Sequence, residues 1–245
     1  MSALLRVSMV LLGMLAAAPS FGADVSLVQQ PKLGKEFDAF PRVGNGVGPD
    51  VAKRINDVLA KVDALGRKAI ADCKAQDRKN GYWARGVDIT MLGPQYLSLV
   101  SHDDAMCGWA HPSGSSLSLV FDLSDGRLVD LPKLLPGLVT KAALSDALDG
   151  AKIGTVTSSK LISLYRQEMD KDKDRDAECK DVVAQKDDLA FIAYPDAGAH
   201  GLVFDPVGIE RVVQACFESM TLPVDVLAAN GTSTVLLEAL RAARK

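Results

Sequence analysis

The sequence predicts an α+β fold: a long N-terminal helix packed on antiparallel sheet, a helical middle segment, a second block of strands and a C-terminal helix. Three observations carry this reading. Apolar residues from Val51 to Cys73 recur at spacings of three and four, the period of one helix face. Between residues 87 and 123 the period drops to two, the signature of strands half-buried on a core. Helical and strand patterns are also segregated into blocks, which favours α+β over a doubly wound parallel sheet.

Residues 1–23 read as a signal peptide. Arg6 supplies the positive start, and residues 7–18 are apolar but too short to span a bilayer comfortably. Small residues then lead to a cleavage point near Gly22 or Ala23. No cysteine lies there, so a lipid anchor is not expected. Residues 24–49 are rich in Gly and Pro and predict an extended lead-in with one short strand at 25–28. Asp50, following Pro49, is the expected N-cap of the long helix. Its core face is Val51, Ile55, Val58, Val62, Leu65, Ala69 and Cys73.

Val87, Ile89 and Met91 alternate with polar residues, 96–101 follow the Gly93-Pro94 turn, and Leu117, Leu119, Phe121 and Leu123 alternate again. These predict an antiparallel meander, with Ser113 to Ser116 as a polar loop, a turn at 124–127 and a short return strand at 128–131. Helices are expected at 139–149 and at 158–170, the second with Leu161, Tyr165 and Met169 four apart. A short third helix would carry Cys179, Val182 and Val183. Strands return at 189–194 and 201–205 around a turn at 195–198. Residues 211–227 fit helix or strand, Pro223 argues against an uninterrupted helix, and 233–244 close with a helix. Residues 24–245 form a single domain on this reading, with a division into two lobes, 24–135 and 136–245, left open.

The net charge is −3, and removing Arg6 with the leader makes it −4. Nucleic acids and anionic lipid surfaces select basic proteins, so neither is an expected partner. Cys73, Cys107, Cys179 and Cys216 in an exported chain read as two disulfides. No pair has C-x-x-C spacing. Three connectivities are open; Cys73–Cys107 with Cys179–Cys216 is favoured because each bridge would tie neighbouring elements.

Catalytic signals are weak. His102, His111 and His200 match no zinc-ligand spacing, and hydrogen bonding in loops at strand starts accounts for His111 and His200. Ser113, Ser115 and Ser116 follow His111, but no nucleophile-elbow motif exists. Asp170, Asp172, Asp174, Asp176, Glu178 and Asp181 fall at positions 1, 3, 5, 7, 9 and 12 of an EF-hand-like loop. Arg175 stands where that loop needs Gly, and Lys171 and Lys173 offset the negative field, so a solvated charged segment is the simpler account. No dinucleotide or phosphate-binding motif is present, and no cofactor or metal is expected. Aromatic content of 5% disfavours a platform of stacked rings for carbohydrate.

Several segments carry a family resemblance. "FPRVGNGVGPDVAKRINDVL" at 40–59 resembles the opening of the RsiV-like family of bacterial extracytoplasmic domains, an extended Pro-containing segment before a helix with an Ile-Asn pair. "GWAHPSGSSLSLVFDLSDGRLVDLPKLL" at 108–135 is similar to the family's central signature, with Trp109 inserted between Gly and Ala. "GLVFDPVG" and "MTLPVDVL" at 201–227 look like its closing strands. The family occurs in a lysozyme-sensing anti-sigma factor and as a non-catalytic module of peptidoglycan deacetylases. The resemblance implies a helix packed on antiparallel sheet, working in the periplasm by binding another protein.

The expectation is therefore a periplasmic, non-catalytic protein-binding module. It would act as an inhibitor or immunity protein against a lysozyme-like or other cell-wall-degrading enzyme. The candidate binding residues are Trp109, His111, Pro112, Ser113, Asp196 and His200. The alternatives are a cell-wall hydrolase using His111 and an acid, or a calcium-dependent structural protein.

Overall fold

The computed structural model describes residues 24–77, 79–108, 111–139, 141–148 and 151–243; the signal peptide expected at 1–23 and Trp109 lie outside them. The lead-in makes a two-stranded antiparallel ribbon, β1 (Leu27–Val28) with β2 (Arg42–Val43). Helix α1 runs Pro49–Gln76. Pro49 suits the first turn because its fixed φ is already helical and its missing N–H would have had no partner. The N-cap is Gly48, without a side-chain bond, so Asp50 is not the cap; it sits inside the first turn, where its charge complements the helix dipole.

The buried face of α1 is Ile55, Val58, Leu59, Val62, Asp63, Gly66 and Cys73. Leu65 is 57% exposed, a correction to the expected stripe. Gly66 takes its place because Phe37 presses there: a Cβ on Gly66 would lie 2.8 Å from the ring. Asp63 is buried for a definable reason, since it accepts from Phe40 N at 3.2 Å and pairs with Arg42 at 2.6 Å.

Strands β3 (Tyr82–Leu92), β4 (Tyr96–Met106) and β5 (Ser113–Asp122) form an antiparallel sheet in that order. Alternation divides its side chains. Leu97, Leu99, Leu119 and Phe121 pack with Ile55, Val58, Leu59 and Val62 of α1. Met91, Tyr96, Val100 and Val120 join a second, larger core. The central strand is thus buried on both faces over its first half, Ser98 and Ser101 included. Ser113 to Ser116 lie inside β5, not in a loop: their backbone is paired with β4, Ser113 opposite Ala105 and Ser116 opposite His102. The expected return strand at 128–131 reduces to a single bridge, Leu128 to Phe121, before α2 (Leu131–Leu134).

The larger correction is at 139–149. Instead of a helix the chain forms β6 (Lys141–Leu148), paired with β7 (Ala151–Thr157) so that Leu148 faces Ala151. Pairing with β7, whose Thr155, Val156 and Thr157 favour a strand, outweighs the helix propensity of the alanines. Helix α3 (Ser159–Met169) follows, capped by Ser158, whose Oγ accepts from Leu161 N at 2.9 Å. Helix α4 (Ala177–Gln185), β8 (Ala190–Asp196) and β9 (Gly201–Val207) come next. The ambiguous 211–227 stretch resolves into a 3-10 turn (Gln214–Cys216), β10 (Met220–Pro223) and α5 (Val224–Ala229), with Pro223 between strand and helix. Helix α6 is Thr234–Ala242.

The second sheet is antiparallel, in the order β10-β9-β8-β7-β6. Phe191, Phe204, Met220 and Leu222 share one of its faces and pack with Tyr165 of α3, Leu227 of α5 and Leu236 of α6. Tyr165 and Phe191 ring centroids are 5.3 Å apart. Ile192, Tyr194 and Val203 point the other way, toward the first sheet. The layers are α1, the three-stranded sheet, the five-stranded sheet and the remaining helices, an α+β architecture.

Two disulfides fasten the ends of these layers. Cys73–Cys107 joins the last turns of α1 to the end of β4, and Cys179–Cys216 joins α4 to the 3-10 turn. Each restricts the unfolded chain, an effect of roughly 2–4 kcal/mol. Among the described residues no helix is long and apolar enough to cross a membrane.

Candidate functional site

The site begins with an irregularity in β3. The register passes from Ile89 opposite Leu99 to Met91 opposite Ser98, leaving Thr90 as the extra residue of a β-bulge. A bulge bends its strand and re-aims its side chains. Here it also fastens one sheet to the other. Thr90 Oγ1 donates to the Pro195 carbonyl at 2.9 Å and lies 2.7 Å from Ser98 Oγ, while the Thr90 carbonyl accepts from Ala197 N at 2.8 Å. A further link crosses from Ser118 Oγ to the Ala193 carbonyl at 3.1 Å.

Beyond the Thr90 contact the sheets part, leaving a groove of about 690 Å³. Met91 and Val100 line its apolar depth; Tyr194 and His102 stand along it, with Asp88 on one rim and Asp196 on the other. The same face of the first sheet then continues as small residues, Gly86 opposite His102 and Gly114 opposite Asp104. Asp104 closes that end, accepting from the Tyr82 hydroxyl at 2.8 Å and pairing with Arg211 at 3.1 Å.

The groove is electronegative. The Tyr194 phenol is pushed up to about 12, first by burial and then by the charges of Asp205, Asp196 and Asp88. It stays protonated at neutral pH, and its hydroxyl makes no hydrogen bond among the described residues. Tyr194 can therefore donate to a ligand, and Asp88 and Asp196 can receive a cation.

The sequence candidates divide. Asp196 lines the groove, where its carboxylate accepts from Ala199 N at 2.8 Å and shapes the β8–β9 turn. His200 is exposed on the same turn at φ 50°, a left-handed position. His111 is exposed and Pro112 half-buried before β5, and Ser113 opens that strand opposite Ala105. That is five residues along β4 from Val100, about 17 Å at the usual strand rise. Trp109 lies outside the described residues. Sequence reasoning missed Asp88, Thr90, His102 and Tyr194 as a group; the available signal was the broken alternation at Met91-Leu92, which marks the bulge.

The other chemical candidates resolve as structure. Asp176 caps α4, accepting from Glu178 N at 2.7 Å, and residues 177–181 are helical, so the twelve-residue cation loop does not form. Arg175 donates to the Cys216 carbonyl at 2.7 Å and pairs with Glu218 at 3.2 Å. Among the described residues no group of His, Cys, Asp or Glu side chains is arranged to hold a metal ion. His102 Nδ1 lies 2.9 Å from Ser116 Oγ, and no carboxylate is bonded to the ring's other nitrogen among the described residues. The third group that orients a catalytic base is not supplied there.

The sequence matches no protein-family model and no curated protein. Among solved structures the chain is similar to a member of the DUF3298 family from Bacteroides fragilis. The two are 14% identical with a TM-score of 0.52, over 89% of this chain and 96% of that one. The likeness extends across nearly all of both chains and is one of fold.

Proposed function

We propose that this chain is a periplasmic, RsiV-like binding module that recognises a cell-wall-degrading enzyme of the lysozyme kind, as its inhibitor or as an immunity protein against it. The observation that carries the reading is the acid-rimmed groove: open, preformed between two sheets, and lined by two carboxylates and a phenol that has no hydrogen-bond partner among the described residues. Such a rim complements a cationic protein, and lytic enzymes that work on anionic walls are commonly basic. Complementary fields speed encounter and fix orientation more than they add affinity. The two disulfides fit an oxidising compartment outside the cytoplasm. The hydrolase alternative has less support, since His111 is exposed and has no bonded partner among the described residues.

The test is a panel of purified muramidases, assayed for wall lysis and for complex formation by calorimetry. One of them should bind and lose activity, with affinity falling as salt rises. Unchanged lysis and no complex across the panel would overturn the reading.

A further inference from the structure

The edge of β3 beside the groove is unpaired over a short, defined span. At one end Arg85 is already bonded outward: its N–H donates to the Glu36 carbonyl at 2.9 Å and its carbonyl accepts from Asp38 N at 3.0 Å. At the other end Thr90 holds Ala197. An antiparallel strand turns its peptide groups alternately toward and away from its neighbour. The alternation set by Arg85 therefore directs the peptide groups of Val87 and the N–H of Ile89 away from β4. None of these has a partner among the described residues.

Two hollows flank this edge. Asp88 opens onto the large groove on one face. On the other, Val87 and Ile89 border a smaller hollow of about 220 Å³, walled by Gln30, Asp38 and Pro41. Ile89 is 42% exposed and borders both. A strand laid along β3 would send successive side chains to opposite faces, hence alternately into one hollow and the other.

From this we infer that Val87–Ile89 is a β-addition site, which takes a short extended segment of a protein partner carrying Lys or Arg at alternate positions. The main chain of that segment pairs with Val87 and Ile89, its cations meet Asp88 and Asp196, and the intervening side chains cover Ile89. Backbone pairing gives such complexes affinity and the alternate pockets give specificity. The inference rests on the protein-binding reading and specifies its mode.

The probe is the peptide acetyl-Lys-Val-Lys-Val-Lys-Val-amide, titrated into the full mature chain and followed by amide NMR. It should bind saturably and slow hydrogen exchange at Val87 and Ile89. Replacing its lysines by glutamates, or methylating alternate backbone nitrogens, should weaken binding at least tenfold. Val87→Pro should weaken it as much while the chain still folds cooperatively with a modestly lower melting temperature, because the lost N–H faces away from β4, proline is tolerated on such an edge, and only the partly buried Val87 side chain is given up. Binding that survives both backbone methylation and Val87→Pro, or no saturable binding, overturns the inference. A muramidase inhibited equally by the wild type and by Val87→Pro keeps the binding function and removes the strand-addition mode. Peptide pairing in a protein that no muramidase engages does the reverse.

Discussion

The two faces of the three-stranded sheet are built from alternate residues of the same strands, yet toward the Cys107 end one is sealed and the other is not. On the α1 side, Asp103 takes Arg85 through two bonds, at 2.8 and 2.9 Å, and a third from Trp83 Nε1 at 2.9 Å. The Arg85 guanidinium also lies 4.3 Å from the centre of the Phe37 ring. Cys73–Cys107 closes the same end. One residue along β4, His102 and Asp104 lie on the opposite face, among glycines and serines, and meet solvent. At that end packing is concentrated on the α1 face, while the opposite face stays open and leads into the acid-rimmed groove. Burial and recognition are divided by the two-residue period of a strand.

Disrupting the sealed face should have the largest effect. Asp103→Ala leaves Arg85, whose side chain is 8% exposed, without its counter-charge. Breaking a buried pair by removing one partner costs about 3–5 kcal/mol; urea unfolding should show a loss of that size. A smaller effect belongs to the floor of the groove. The Tyr194 phenol is raised above its usual value of 10.0 to about 12, so the folded state holds the proton more tightly than the unfolded chain. Its contribution is complete below pH about 10 and is lost as pH rises toward about 12. Alkaline unfolding should accordingly shift upward in Tyr194→Phe. Least affected should be the rim. Asp88→Asn, at an exposed position, should stay within about 0.5 kcal/mol of wild type in stability while slowing association with a cationic partner. A rim substitution that unfolds the protein, or an Asp103 substitution that does not, would dissolve the contrast between the faces.

Much of the fold was readable because it follows from periodicity. Most of the α1 face, the alternation of β3 and β5 and the Leu161, Tyr165, Met169 stripe of α3 all follow from apolar spacing. What failed depended on pairing: β6 looked helical because alanine and leucine favour helices, and only its hairpin partner makes it a strand. Leu65 failed because Phe37, distant in sequence, claims the helix surface at Gly66. The groove was hardest to see. It needs a bulge at Thr90 and a turn more than a hundred residues later to meet, and no local pattern encodes that meeting. Asp196 was named from its turn chemistry, but its neighbours Asp88 and Tyr194 belong to other strands.

The two disulfides link residues 34 and 37 apart in sequence, and their spans do not overlap. The cystines therefore form two separate loops rather than an interlocked pair. No covalent tie except the main chain itself joins the layer containing α1 to the layer containing α3. A nick anywhere between Cys107 and Cys179 would leave two fragments that migrate apart in denaturant without any reductant. In the folded state, the apolar interlayer and the Thr90 and Ser118 crossings would have to hold them.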